Sequence, residues 1–124
     1  MVTTAGAAID VLVIEDDRDV QECIVAGLEN HGFRVAVTAN GAAAVEWLTA
    51  HPAPRMIMLD WFMPVMTGEQ FLEVQQANPS WSRIPVVVLS ASPKRPSVGR
   101  QVKYLRKPIR LRELVDVVNA HVGS

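Results

Sequence analysis

The sequence predicts an α/β domain, a parallel β-sheet covered by helices. Three observations carry this. Short, solid apolar runs at Val11–Ile14, 56–59 and 84–89 read as strands buried on both faces, which is how strands of a parallel sheet are patterned. Stretches of helical periodicity alternate with these runs along the chain. Two of the runs deliver acids at their carboxyl ends, Glu15-Asp16-Asp17 after the first and Asp60 after the second.

Each element has its own signal. The first strand, Val11–Ile14, leads into a helix over 17–30 with Val20, Ile24 and Leu28 at helical spacing. Asp17 or Asp19 suits its first turn, where negative charge is favoured, and Gly32 ends it. Cys23 falls in this helix and is expected in the core. Residues 33–38 alternate in part, as a strand near a sheet edge does. Asn40-Gly41 turns the chain into a helix over 42–50, stopped by Pro52 and Pro54. After the strand ending at Asp60, Pro64 and Gly68 break the chain before a helix over 67–76, which Asn78-Pro79 terminates. The strand over 84–89 runs into Ser90-Ala91. Residues 92–101 carry Pro93, Pro96 and Gly99 and no apolar stripe, so an irregular, mobile segment is expected there. A short strand over 102–105 and a helix over 110–121, with Leu111, Leu114, Val115, Val118 and Val122 as its stripe, complete the domain.

Bulk properties narrow the classes. The 124 residues suffice for one domain with a real core, and residues 10–122 are expected to form it, with 1–9 a loose tail that lacks the pattern of a signal peptide. The composition, 49% hydrophobic and 20% charged, is that of a globular protein. A formal net charge of -1 provides no basic field for nucleic acid. No apolar run approaches the ~20 residues of a membrane span. The single cysteine excludes an internal disulfide and suits a reducing, cytoplasmic setting. His31, His51 and His121 lie near helix ends and are read as end-of-helix groups rather than catalytic ones. Trp47 and Trp81 are read as packing or surface anchors, and Trp61 as a wall of the pocket beside Asp60.

Five strands with helical crossovers fit a flavodoxin-like, doubly wound sheet of order 2-1-3-4-5. Its switch point lies between the first and third strands, the two that end in acids. Right-handed crossovers place all strand carboxyl ends on one rim. Glu15, Asp16, Asp60, Ser90 and Lys107 meet there. Carboxylates brought together repel, and a hard divalent cation such as Mg²⁺ relieves that repulsion. A carboxylate nucleophile, a metal site, an amine and a hydroxyl together suit an incoming phosphoryl group.

The chain resembles a response-regulator receiver domain over nearly its whole length. The matching pieces are Val-Leu-Val-Ile-Glu-Asp-Asp, Leu-Asp-Trp-Phe-Met-Pro-Val-Met-Thr-Gly, Val-Val-Val-Leu-Ser-Ala and Tyr-Leu-Arg-Lys-Pro, in this order and at strand ends. The resemblance implies that Asp60 accepts a phosphoryl group from a sensor histidine kinase or a histidine phosphotransfer protein. It implies Mg²⁺ held by Glu15, Asp16, Asp60 and the backbone carbonyl of Phe62, with Asp16 the direct ligand of the acidic pair. Ser90 matches the switch hydroxyl, Tyr104 the switch aromatic and Lys107 the active-site lysine, followed by a proline, Pro108, that the family often joins through a cis bond. A domain of this kind catalyses only its own phosphorylation and dephosphorylation and signals through a downstream protein target.

Three departures from the family's pattern stand out. The interval from Ser90 to Lys107 is short by about one helical turn, so the helix usual between the fourth and fifth strands is expected to be truncated or lost. Phe62, large and apolar, stands two positions after Asp60, and Thr67 stands where an acid is common. Two other functions compete. A receiver-like interaction module with vestigial phosphorylation would be expected to lack one of the five rim residues. A metal-dependent phosphatase of similar fold would carry an Asp at the position held by Phe62.

Overall fold

A computed structural model describes residues 8–92 and 102–122. Within them, five parallel strands form one sheet in the order β2-β1-β3-β4-β5, as the sequence predicts. The strands are β1 (Val11–Ile14), β2 (Val35–Thr38), β3 (Met56–Asp60), β4 (Val86–Ser90) and β5 (Lys103–Arg106). The described helices are α1 (Arg18–Glu29), α2 (Gly41–Ala50), α3 (Gly68–Ala77) and α4 (Leu111–Val122). The connection from β4 to β5, where a shortened helix and a mobile segment are expected, lies at 93–101, outside the described residues. So do residues 1–7 of the expected tail, whereas the carbonyl of Ile9 accepts the Arg55 amide at 3.1 Å.

Strands β1, β3 and β4 are wholly buried along their length. Withdrawing a Leu, Ile or Val side chain from water contributes about 1.5–3 kcal/mol, so runs with no polar residue before their last position are driven to the middle of the sheet. Their side chains feed two clusters. Val11, Val13, Met56, Met58, Val87 and Leu89 pack beneath α1 and α4. Leu12, Ile14, Ile57, Leu59, Val86 and Val88 pack beneath α2 and α3. Trp47, Trp61 and Trp81 are half-buried against this second cluster. The alternating strand β2 lies at the edge, with Val37 exposed.

The helix starts follow capping chemistry. The Asp17 side chain accepts the Asp19 and Val20 amides at the start of α1, Asn40 accepts the Ala43 amide at the start of α2, and Thr67 with Gln70 forms a reciprocal capping box on α3. The Thr-x-x-Gln spacing that announces this box is visible in the sequence, so Thr67, unremarkable as a replacement for an acid, starts a helix. Gly32, with φ of 88°, takes the left-handed backbone that ends the turn after α1. The three histidines each bond the carbonyl four residues earlier through Nδ1, at 2.8–2.9 Å, as end-of-helix groups do. Fully buried Gln75 donates its amide to the carbonyls of Trp81 and Ile84 and so fixes the turn that feeds β4.

Two core assignments are corrected. Cys23 is exposed. Helix α1 turns the arc containing Ile24 and Leu28 toward the sheet, and Cys23, about 100° round from Ile24, faces away from it into a groove between α1 and α4. Leu111, expected on the inward stripe of α4, is 48% exposed. Val117 takes its place in the core, with Leu114 and Val118.

Candidate functional site

The acids and the lysine meet where the topology requires. Glu15 directly follows β1, its amide bonded to the Thr38 carbonyl of β2 at 3.1 Å. Asp60 closes β3 next to β1, and Ser90 closes β4. Lys107 follows β5, its amide bonded to the Ser90 carbonyl at 2.8 Å, and the Lys107-Pro108 bond is cis. Glu15 and Ser90 are fully buried and Asp60 is nearly so, while Asp16 is exposed. One carboxylate oxygen from each of Glu15, Asp16 and Asp60 falls within 4.8 Å of the others.

Lys107 is the counter-charge. Its Nζ lies 2.8 Å from Glu15 Oε1 and 3.4 Å from Asp60 Oδ1. Burial works against the ammonium, but the hydrogen bond to Glu15 and the charges of Asp60 and Glu15 outweigh it and raise the lysine above its ordinary value. Asp60 moves the same way for the opposite reason. Burial and the charge of Glu15 push its carboxyl up to about 7, and Lys107 only partly offsets them. At neutral pH a nucleophilic carboxylate here needs more positive charge than one lysine supplies. The donor set fits a hard cation: three carboxylates, one of them exposed to the solvent that would complete the coordination of Mg²⁺.

The loop after β3 shapes the mouth. The amide of Phe62 points at Asp60 Oδ1 from 3.4 Å, and its ring is 64% exposed. Pro64 accepts the Met66 amide across Val65, whose φ of 71° is a strained value for a β-branched residue. Gly68 allows the loop to close: a Cβ there would sit 2.7 Å from both the Asp60 carbonyl and the Trp61 Cα.

On the β4 side, the Ser92 amide donates to Ser90 Oγ at 3.1 Å, and the Tyr104 hydroxyl donates to the Ser92 carbonyl at 2.7 Å. Ser90 and Tyr104 are therefore joined through one residue, Ser92. Two residues outside the sequence-predicted set thus belong to the arrangement. Ser92 acts through its backbone, which leaves no mark in a sequence. Gln21 of α1 donates to the Glu15 carbonyl, and its only sequence signal is a polar residue on the otherwise apolar face of α1.

Among the described residues, an apolar groove of about 990 Å³ runs from this rim between α1 and α4. Val20, Cys23, Ala26, Gly27 and Leu114 line it, and Lys107 and Pro108 stand at its upper end. No helix among the described residues is long and apolar enough to cross a membrane.

Fold and rim together define a class, the doubly wound α/β domains with an acidic rim at the strand ends, and comparison with known proteins settles the family. The family model of the response regulator receiver domain matches residues 11–119, and the chain belongs to that family. It is 31% identical over 115 residues to the two-component response regulator ORR11 of Oryza sativa subsp. indica, covering 88% of this chain and 78% of the relative. It is also 31% identical over 115 residues to the phosphate regulon transcriptional regulatory protein PhoB of Klebsiella pneumoniae, here spanning 89% of this chain and 50% of the relative. Among solved structures, the receiver domain of a Pseudomonas aeruginosa sensor histidine kinase, solved with a magnesium ion in its active-site cleft, superposes with a TM-score of 0.82 at 26% identity over 94% of this chain and 99% of that one. The Vibrio cholerae chemotaxis protein CheY4 shares the fold, with a TM-score of 0.82 at 22% identity over 92% of this chain and 98% of that one.

The raised carboxyl carries a pH signature. In chelator the folded state binds a proton at Asp60 that the unfolded chain releases near pH 4, so the contribution of Asp60 to stability is full below that pH and is lost as pH rises through about 7. Asp60→Asn is expected to flatten this decline and to raise the melting temperature at pH 7.5 by about 5 °C or more. Thermal melts of both proteins from pH 4.5 to 8 check it; parallel curves would contradict the assignment.

Proposed function

We propose that this domain, residues 10–122, is a phosphoacceptor of a two-component or phosphorelay system. Asp60 takes a phosphoryl group from a histidine of a sensor kinase or phosphotransfer protein and passes the signal to a downstream protein target. The observation that carries the proposal is the convergence of Asp60 with Glu15, Asp16 and Lys107 at the rim. A module with vestigial phosphorylation does not need this set, so that alternative is disfavoured.

In the proposed reaction one Asp60 carboxylate oxygen attacks phosphorus, an O–P bond forms as the P–N bond to the imidazole breaks, and the bonding pair leaves with the ring nitrogen. Lys107 Nζ, within 3.4 Å of Asp60, stands where charge gathers on the phosphoryl oxygens. Ser90 offers its hydroxyl as a donor to the new group, which draws on the Ser92 amide and through it on Tyr104. Glu15, Asp16, Asp60 and the carbonyl of Phe62 would hold Mg²⁺, whose charge would favour the ionised form of Asp60 and offset charge on the phosphoryl oxygens. The chain catalyses no reaction beyond its own phosphorylation and dephosphorylation. A single exposed thiol fits the cytoplasm.

Incubation with Mg²⁺ and acetyl phosphate is expected to add one phosphoryl group by intact mass, and the addition is expected to vanish with chelator or in Asp60→Asn. Undiminished labelling of Asp60→Asn would overturn the assignment.

Hydrolysis of the acyl phosphate requires a water in line behind phosphorus. The Phe62 side chain, two positions after Asp60, has no group to orient the water, so slow decay is expected. Phe62→Asn should speed loss of the label several-fold, measured by mass after donor removal. An unchanged or slower decay would remove Phe62 from that role.

The apolar groove continuing the rim between α1 and α4 suits a helix of the histidine-bearing partner, delivered beside Lys107. Ala26→Arg places a charge in that groove. Losing ~1–2 kcal/mol of contact corresponds to about a tenfold slowing of transfer from a histidine-phosphorylated protein, with a much smaller effect on labelling by acetyl phosphate. Equal slowing of both would place docking elsewhere.

A further inference from the structure

We infer that Gln21 is a positioning residue for Asp16, holding the peptide plane that aims this carboxylate into the metal site; the inference rests on the reading of that site given above. The argument is geometric. A peptide unit is rigid, so fixing its carbonyl oxygen fixes the amide of the next residue as well. Asp16 stands between two such units. The first, Glu15 C=O with Asp16 N–H, is held by the Gln21 side-chain amide. The second, Asp16 C=O with Asp17 N–H, is held by Glu15 Oε2, which accepts the Asp17 amide at 3.1 Å. With both planes fixed, the two backbone torsions of Asp16 are fixed between them.

The anchors outside this pair are firm. Glu15 is fully buried, with its amide on Thr38 and its other carboxylate oxygen on Lys107 at 2.8 Å. Asp17 caps α1 and its carbonyl accepts the Gln21 amide at 2.9 Å. Gln21 thus grips the loop twice, by backbone at Asp17 and by side chain at Glu15. Asp16 itself is exposed, and the direction in which its side chain leaves the backbone is set by these two planes. One of them depends on a single side chain carried by α1, which ties the seating of that helix to the geometry of the cation site.

The test compares Gln21→Met, which keeps length and helix propensity but cannot donate, with Gln21→Lys, which restores a donor to the Glu15 carbonyl. Three quantities are read, starting from the metal-free protein: the Mg²⁺ dissociation constant by calorimetry, the amide resonances of Asp16 and Asp17, and the rate of labelling by acetyl phosphate at low and saturating Mg²⁺. Gln21→Met is expected to weaken Mg²⁺ about tenfold, as loss of a ligand's supporting hydrogen bond does. It is expected to shift the Asp16 amide, and to slow labelling at low Mg²⁺ but not at saturating Mg²⁺. Gln21→Lys is expected to restore all three. Unchanged Mg²⁺ affinity and unchanged Asp16 resonances in Gln21→Met would overturn the inference, as would an equal loss in Gln21→Lys. If the parent protein bound no Mg²⁺ and took no phosphoryl group, the functional reading would fail, and the Asp16 resonances alone would decide whether Gln21 positions that residue.

Discussion

The site depends on an imbalance of charge that the fold imposes. Three carboxylates face one ammonium, and the two buried carboxylates lie at the ends of adjacent strands that hydrophobic burial forces side by side. Neither strand can withdraw its acid without pulling Val11–Ile14 or the apolar part of β3 out of the core. The cost of crowding is therefore met by several kcal/mol of apolar burial along those strands, and it surfaces as a carboxyl at Asp60 that holds its proton near neutrality. Lys107 keeps the arrangement from being worse, yet it sits closer to Glu15 than to Asp60. The remaining deficit is what a divalent cation would offset.

The same arithmetic of burial explains what the sequence makes legible. Solid apolar runs ending in Glu15, Asp60 and Ser90 say which strands are central and which end carries chemistry, because nothing else tolerates such runs. Strand order follows from handedness and from the partial alternation of β2. Glu15, Asp60 and Ser90 are readable for this reason, whereas Lys107, which follows the mixed strand β5, is picked out by the receiver resemblance. The exposure of Cys23 and Leu111 is not legible. Helical periodicity tells that a face is apolar but not how widely two neighbouring helices stand apart, and the groove between α1 and α4 leaves both residues uncovered. The link from Ser90 to Tyr104 through Ser92, and the grip of Gln21 on Glu15, are harder to read, since each side chain there meets a backbone group of Ser92 or Glu15, and backbone groups are common to every residue.

Strain is placed outside the strands. Val65 carries an unfavourable backbone angle and Phe62 an exposed ring, and both belong to the loop after β3, not to the strands. Gly68 allows that loop to return directly onto Asp60. The outer loop can thus vary in shape and chemistry while the carboxylates behind it stay where the sheet puts them.

The exposure of Cys23 has a practical side. It is the chain's sole cysteine, it lies in the groove that leads from Lys107, and neither the sheet nor the acids depend on it. A thiol-directed dye or spin label therefore attaches at one known position, without any engineered residue. A reporter at that position senses what enters the groove and how far α1 stands from α4, and leaves the carboxylates and lysine of the rim in their native form.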